Sequence, residues 1–574
     1  MKLNIQISSI DTLGPALGST PVRARTWFGN PIVALLLTAF LLCGSISAAH
    51  AQDANGVCRA SMAGNSVNNG ADWAHSKDLM SALNLYSCAE IWVAQGTYTP
   101  VGYPFYFTIR PEARVFGGFA GTESLRNQRD WLAHPTVLSG DKDNNDTNTD
   151  GNGIDESYHD IKGNNAQTVV QMTGTPSSPI TSTTVLDGFI ISGGDGSKIG
   201  GFGGGMLCRG VGVNAHCSPT LSNLVFSGNA AGYGGALYLD GSQNGDSSPQ
   251  ISHVIFNNNH ATQQGGALFA NGLTDGTANP TLSDIVFNDN VSDSYGGAIY
   301  SDSRQRGTTN MNLTNVTFDN NNALYGGAMM NFGYGGKSSP SLFNVTFSNN
   351  SAQIGGAMYN QAQLDVAHGN APGESHPTLR NVTFSHNHAN GSGGAMYNWG
   401  AYNGDVNLML NNVTFSDNSA NLGGAVFSTA YSSGTADATL SNVILWGNTA
   451  SSGQDFYIDD TQFAISFDLN ISYSVVQGGD AGIAYKSGRT SPKPFSDGGF
   501  NYSTDPELGA LADNGGFTLT MAPGPNGSAV NHGICAGAPS MDQRGVARPN
   551  GSACDIGAVE ALPDVLFANG FEHP

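Results

Sequence analysis

Charge is what this chain has least of. Asp, Glu, Lys and Arg together make 11% of its 574 residues, against about 25% in ordinary soluble domains. Basic residues are the scarcest: 22 Lys and Arg stand against 44 Asp and Glu, a formal charge of −22. That balance excludes a nucleic-acid partner, because such a surface repels phosphate. Low charge combined with 39% hydrophobic residues, 27 Phe and 19 Tyr excludes a disordered chain. Only 24 Pro and no Gly at every third position exclude collagen. No Cys-x-x-Cys spacing is present for zinc or redox work. Neither a Gly-x-Ser-x-Gly elbow nor a phosphate-binding glycine loop occurs.

Glycine is abundant, with 77 residues, about twice ordinary usage. A Gly-rich, charge-poor, apolar chain calls for a search for repeats. A nine-residue phrase recurs: LSNLVFSGN at 221–229, ISHVIFNNN at 251–259, LSDIVFNDN at 282–290 and LTNVTFDNN at 313–321. It continues as LFNVTFSNN at 342–350, LRNVTFSHN at 379–387, LNNVTFSDN at 410–418 and LSNVILWGN at 440–448. The starts lie 30, 31, 31, 29, 37, 31 and 30 residues apart, with weaker echoes beginning at Leu186 and Ile471. In seven of the eight units Gly-Gly-Ala and an apolar pair follow, from GGALY to GGAVF.

The fourth and sixth positions of the phrase, Val345 and Phe347 for example, alternate as a strand requires. Leu at the first position is out of phase with them, so a bend or bulge must lie between. In five units a Pro stands two residues before the phrase, where it takes no hydrogen bond from a ladder. The Gly-Gly supplies a corner. No 3.6-residue period is visible, so the 30-residue unit is a coil of short strands. The fold expected is all-β: a right-handed parallel β-helix of the pectin-lyase-like type, capped at both ends. Ten to twelve coils at about 4.8 Å each give a rod of roughly 50–60 Å. Stacking then places Asn229, Asn259, Asn290, Asn321, Asn350, Asn387, Asn418 and Asn448 in one column, an internal hydrogen-bonded ladder. The Asn-Val-Thr sequons belong to the phrase and arise from it.

The first 51 residues read as a secretory signal: Lys2, Arg23 and Arg25, an apolar run Pro31 to Cys43, then Ala49-His50-Ala51. The run is short for a membrane span, so no transmembrane segment is expected after cleavage. The mature chain, with 19 basic and 43 acidic residues, is near −24. Six cysteines remain, and three sequence-local pairs are expected for an oxidising compartment: Cys58 with Cys88, Cys208 with Cys217, Cys535 with Cys554. The domain plan runs as a signal over 1–51, an N-terminal cap and first strands over 52–115, and the β-helix over 116–510. A C-terminal capping segment follows over 511–560 and a short tail over 561–574. Leu79 and Leu83 mark a short helix over the first coil, and the extra residues within 361–376 mark a protruding loop.

The linked Phe-x-x-Asn and Gly-Gly-Ala-apolar motifs resemble the repeat of the bacterial polymorphic outer-membrane proteins, β-helical surface adhesins. The resemblance covers about 186–480 and implies an exported protein of the outer membrane or cell surface. Only 14 residues follow Glu560, so no autotransporter barrel is expected at that end. EIWVAQGTY at 90–98, VFGGFAGTE at 115–123 and VLSGDKDNND at 137–146 are similar to secreted bacterial β-helix proteins with a choice-of-anchor C-terminal region. So are Asp542-Gln543-Arg544-Gly545, Arg548-Pro549 and CDIGAVE at 554–560, and FANGFE at 567–572 looks like a terminal sorting tail.

Chemistry has few places to sit. Asn148-Thr149-Asp150, Asp459-Asp460 and His532-Gly533 match polygalacturonase motifs in order, but the first two lie about ten coils, roughly 50 Å, apart, and Arg-Ile-Lys is missing. A lyase base is equally short of candidates, since Arg304, Arg306, Lys337 and Arg380 are the basic residues between Leu221 and Asn448. In DTNTDGNGIDE at 146–156, Asp146, Asn148 and Asp150 precede Gly151, with Asp155 beyond. Oxygen ligands at positions one, three and five before a turn-making Gly suit calcium. Ser157 at the twelfth position departs from an EF-hand, and a solvated acidic loop is the competing reading. His386-x-His388 falls on a turn position filled elsewhere by Gly, Asn and Asp. The function expected is a non-enzymatic surface or secreted β-helix acting by adhesion or interaction, its partner a surface glycan or protein. The alternatives are a lyase or hydrolase of acidic polysaccharide and a structural envelope protein. No organic cofactor is expected, and calcium is the one ion with a candidate site.

Overall fold

A computed structural model describes residues 56–102, 105–462, 467–486 and 499–561. The signal segment, the tail beyond residue 561 and the side chain of Asp460 lie outside the described residues.

The repeat folds as a parallel β-solenoid of about 14 turns. The turns build a 17-stranded and a 12-stranded sheet, and the central turns add a 6-stranded sheet. The phrase forms the first sheet and stacks without slippage: Leu221 pairs Ile251, Leu224 pairs Val254 and Phe226 pairs Phe256. The count exceeds the ten to twelve coils expected because turns lacking the phrase precede it. Val57–Ala60, Glu90–Ala94 and Arg114–Phe119 stack in that order and lead onto Val185–Ser192. The helix Leu79–Asn84, N-capped by Asp78, buries Leu79, Ala82 and Leu83 in the same core. Cys58–Cys88, Cys208–Cys217 and Cys535–Cys554 are bridged as local pairs.

The bulge that the phase of the phrase requires falls on its third residue. The ladder skips Asn223, His253 and Asp284, and these take φ of 51°, 54° and 58°. The third residue is Asn, Asp or His in every unit, the side chains that tolerate left-handed backbone best. The Gly-Gly corner uses each glycine differently. Gly296 has φ 64°, and a Cβ on Gly297 would lie 2.0 Å from the oxygen of Gly327 in the next turn.

Two columns fill the interior. From Phe226 to Phe415 seven phenylalanine rings stack nearly parallel, with successive centroids 4.6–5.0 Å apart. Beside them the ladder Asn side chains within the column use all their capacity. Asn259 Nδ2 donates to Asn290 Oδ1 (3.0 Å) and to the main-chain oxygen of Phe226 (3.0 Å). Its Oδ1 accepts from Asn229 Nδ2 and Asn229 N. The column ends at Asn448, whose Nδ2 donates to Asp455 Oδ1 at 3.1 Å. Asp455 stands where the other units have the Ala of Gly-Gly-Ala.

The C-terminal segment does more than close the last layer, the role expected of it. It lies against the outer face of the first sheet over several turns. Gln543 Nε2 donates to Val345 O (3.2 Å) and Thr346 Oγ1 (2.8 Å), and Thr383 Oγ1 donates to Gln543 Oε1 (2.7 Å). Further along, Asn412 Nδ2 donates to Gly557 O (3.1 Å) and Asn442 Nδ2 to Ile534 O (2.8 Å). The segment's charged motif is its own core. Arg544 pairs with Asp542 and Arg548 with Glu560, all four side chains at most 2% exposed.

Burial raises the Asp455 carboxyl to about 8. A carboxyl raised on folding favours the native state while protonated, so its contribution falls as pH climbs from about 4 to 8 and is flat above. Asp455→Asn, an uncharged isostere that keeps an acceptor for Asn448, should remove that dependence. Melting of both proteins at pH 5 and pH 9 checks it: wild type is expected to lose more on the alkaline side than the variant.

Candidate functional site

The acidic loop expected to ligate calcium divides in two. Asn148 Oδ1 accepts from Gly151 N (2.9 Å) and Asp150 Oδ1 from Asn152 N (3.2 Å), both on the exposed tip. Asp146 and Asp155 come together instead. Asp155 is 4% exposed, and its main-chain N–H donates to Ser192 Oγ at 2.8 Å, fastening the loop to the solenoid. Burial, then the neighbouring Asp146 and Asp141 carboxylates, push Asp155 up to about 8, and burial raises Asp146 as well. Among the described residues no three His, Cys, Asp or Glu are placed to hold a metal ion.

The other candidates disperse. His386 and His388 are exposed and turn to different partners: His386 Nδ1 to Ser385 Oγ, His388 Nδ1 to Ser419 Oγ and Nε2 to Asn390 Oδ1. His386 has φ 58°, like Asn349 and Asp417 at the same corner of neighbouring turns. The polygalacturonase-like residues do not form one site. Asp150 is on the loop tip, Asp459 pairs with Lys486 (2.8 Å), and His532 Nδ1 meets Ser528 O (3.0 Å) beside Tyr502. The insertion between Met358–Gln363 and Glu374–Ser375 protrudes, with Val366 67% exposed. It folds down so that His368 Nδ1 meets Asp365 Oδ2 (2.9 Å) and Nε2 meets Gln305 (3.2 Å).

Sequence reasoning missed the most extended lateral feature. The two residues of the apolar pair after Gly-Gly-Ala face opposite sides of their strand. Leu237, Leu268 and Ile299 join the interior, while Tyr238, Phe269 and Tyr300 form a separate row on the outer face of the second sheet. Tyr238 and Phe269 stack at 4.9 Å. Half-buried Tyr233, Tyr295, Tyr325, Phe332 and Trp399 pack over that row, and Tyr295 stacks on Tyr325 at 5.0 Å. Counting alternation through the pair would have found it.

The Chlamydia polymorphic membrane protein repeat matches residues 223–240, 253–271, 284–302 and 412–429. Each match runs from the left-handed bulge residue through the ladder Asn and the Gly-Gly-Ala corner into the second sheet. The chain is a β-helix protein with polymorphic membrane protein-type repeats. No curated protein and no solved structure matches it. Polymorphic membrane protein repeats point to an exported protein of the outer membrane or cell surface. Among the described residues no helix is long and apolar enough to cross a membrane.

The corner geometry separates a backbone role of His386 from a metal role. His386→Asn should leave the melting temperature within about a degree. His386→Val should destabilise by about 1–2 kcal/mol, because a β-branched residue resists left-handed backbone. Zinc or nickel should shift none of the three melts.

Proposed function

We propose that this protein is an exported, non-enzymatic solenoid of the bacterial cell surface that acts by adhesion, contacting a surface glycan or protein along its side. The observation that carries the reading is the polymorphic membrane protein repeat. Held in register, the repeat turns one outward residue per turn into a buried row, aromatic except at Met330, that is roofed by the half-buried Tyr233, Tyr295 and Tyr325. Aromatic side chains supply large contact area with little loss of side-chain entropy, and the half-buried tyrosines keep part of that area open to a partner. The acidic balance of the chain fits a neutral or basic partner better than a polyuronate.

A panel of envelope glycans, host glycans and polyuronates on a solid phase tests it. Saturable binding without turnover is expected, weakened at least tenfold in Tyr233→Ala/Tyr295→Ala/Tyr325→Ala at an unchanged melting temperature. Turnover of a polyuronate would replace adhesion with lyase or hydrolase chemistry. Absence of binding throughout would favour a structural role in the envelope.

A further inference from the structure

Asp155, buried, and Asp146, half-buried, are two carboxylates brought to one place. Both flank Gly193, where a Cβ would lie 2.2 Å from Asp155 Oδ2 and 3.3 Å from Asp146 Oδ2. Two lysines of this region turn elsewhere, Lys142 to Asn164 and Lys198 to Asp195, while Lys162 gives Asp146 Oδ1 its main-chain N–H. Among the described residues neither carboxylate is in a salt bridge. Burying like charges together without compensation is costly, and folds avoid it unless a proton or a metal resolves it.

A second observation comes from Asn165, which is 5% exposed. Its carboxamide points into the pair: Nδ2 donates to Asp146 Oδ2 (2.5 Å) and to Gly193 O (2.7 Å). Its Oδ1 is buried with no hydrogen-bond partner. A buried amide oxygen left unpaired beside two carboxylates is a rare arrangement. Turning the carboxamide about would bring Oδ1 in to face Asp146 Oδ2 and Gly193 O. Three converging oxygens of that kind repel one another unless a cation stands between them. Ser192 Oγ lies 3.5 Å from Asp155 Oδ2, one more oxygen beside the pair.

We propose that this cluster is a calcium site in which Asp146 and Asp155 supply the charge and Asn165 Oδ1 and Gly193 O the neutral ligands. Calcium suits an irregular oxygen set that mixes carboxylate, amide and main-chain carbonyl, with water completing six to eight ligands. Zinc lacks the nitrogen or sulfur it favours here. The site differs from the linear reading of the loop, because Asn148 and Asp150 spend their oxygens on the tip's own backbone. The ion would tie the 141–165 loop to the turn of Val185–Ser192, where Asp155 is already fastened.

Calorimetric titration of the EDTA-stripped protein with calcium chloride, together with thermal melts, tests this. One ion per chain is expected, with a melt several degrees higher at saturation and magnesium at least tenfold weaker. Asp155→Asn should bind at least tenfold more weakly, yet melt at or above wild type in EDTA, because it removes a buried like charge. That crossing of the two melts distinguishes a lost ligand from a damaged fold. Asn148→Ala/Asp150→Ala should bind as wild type does. No heat and no shift for wild type, or wild-type binding by Asp155→Asn, would overturn the proposal. Loss of binding in the Asn148→Ala/Asp150→Ala variant would overturn it too, moving the ion to the loop tip.

Discussion

The structure depends on one interaction, the axial hydrogen bond between the carboxamides of stacked asparagines. A solenoid has no closed core; each turn covers the previous one and is covered by the next. Whatever sets the rise between turns sets everything else. Asn290 Nδ2 meets Asn321 Oδ1 at 3.0 Å and Asn321 Nδ2 meets Asn350 Oδ1 at 2.9 Å. Each amide also takes a main-chain oxygen one turn back, so the column bolts side chains to backbone as well as to one another. All eight ladder residues are at most 1% exposed, and a buried amide with all four hydrogen-bond positions filled leaves no desolvation cost uncovered.

The odd composition follows from that column. A charged side chain repeated every turn would place like charges about 4.8 Å apart along the axis. Neutral Asn, Ser and Thr can stack at that distance, so a protein built from one coil is poor in Asp, Glu, Lys and Arg. Where the column ends, Asn448 donates to the carboxylate of Asp455 beside it, which burial raises to about 8. Glycine is doubled because the corner between the 6-stranded and 12-stranded sheets needs left-handed backbone at one residue and a missing Cβ at the next.

How far the sequence could be read follows the range of the forces involved. The phrase, its bulge and the Asn column repeat eight times and the Gly-Gly corner seven, and each is where the periodicity put it. The early turns were harder, because Glu90–Ala94 and Arg114–Phe119 share the fold without the phrase. The path of the C-terminal segment was invisible, since Gln543 touches Val345 across 198 residues and no periodicity marks that contact. At the acidic loop, ligand spacing suggested neighbours along the chain. Folding kept Asp146 and Asp155, which the solenoid wall brings together, and left Asn148 and Asp150 to cap their own turn. The outer aromatic row was in plain view in the apolar pairs, and becomes legible only when strand alternation is counted through each pair.

A double-mutant cycle along the column tests the central claim most directly. Asn290→Ala and Asn321→Ala would be made singly and together, with Asn259→Ala and Asn418→Ala as a distant pair, and unfolding free energies measured for all. If the amides act as one axial chain, the adjacent double variant should cost less than the sum of its singles by about 1 kcal/mol or more, while the distant pair adds. Additivity at both pairs would contradict the account, leaving each Asn as an independent turn residue and the rise between turns to the phenylalanine stack alone.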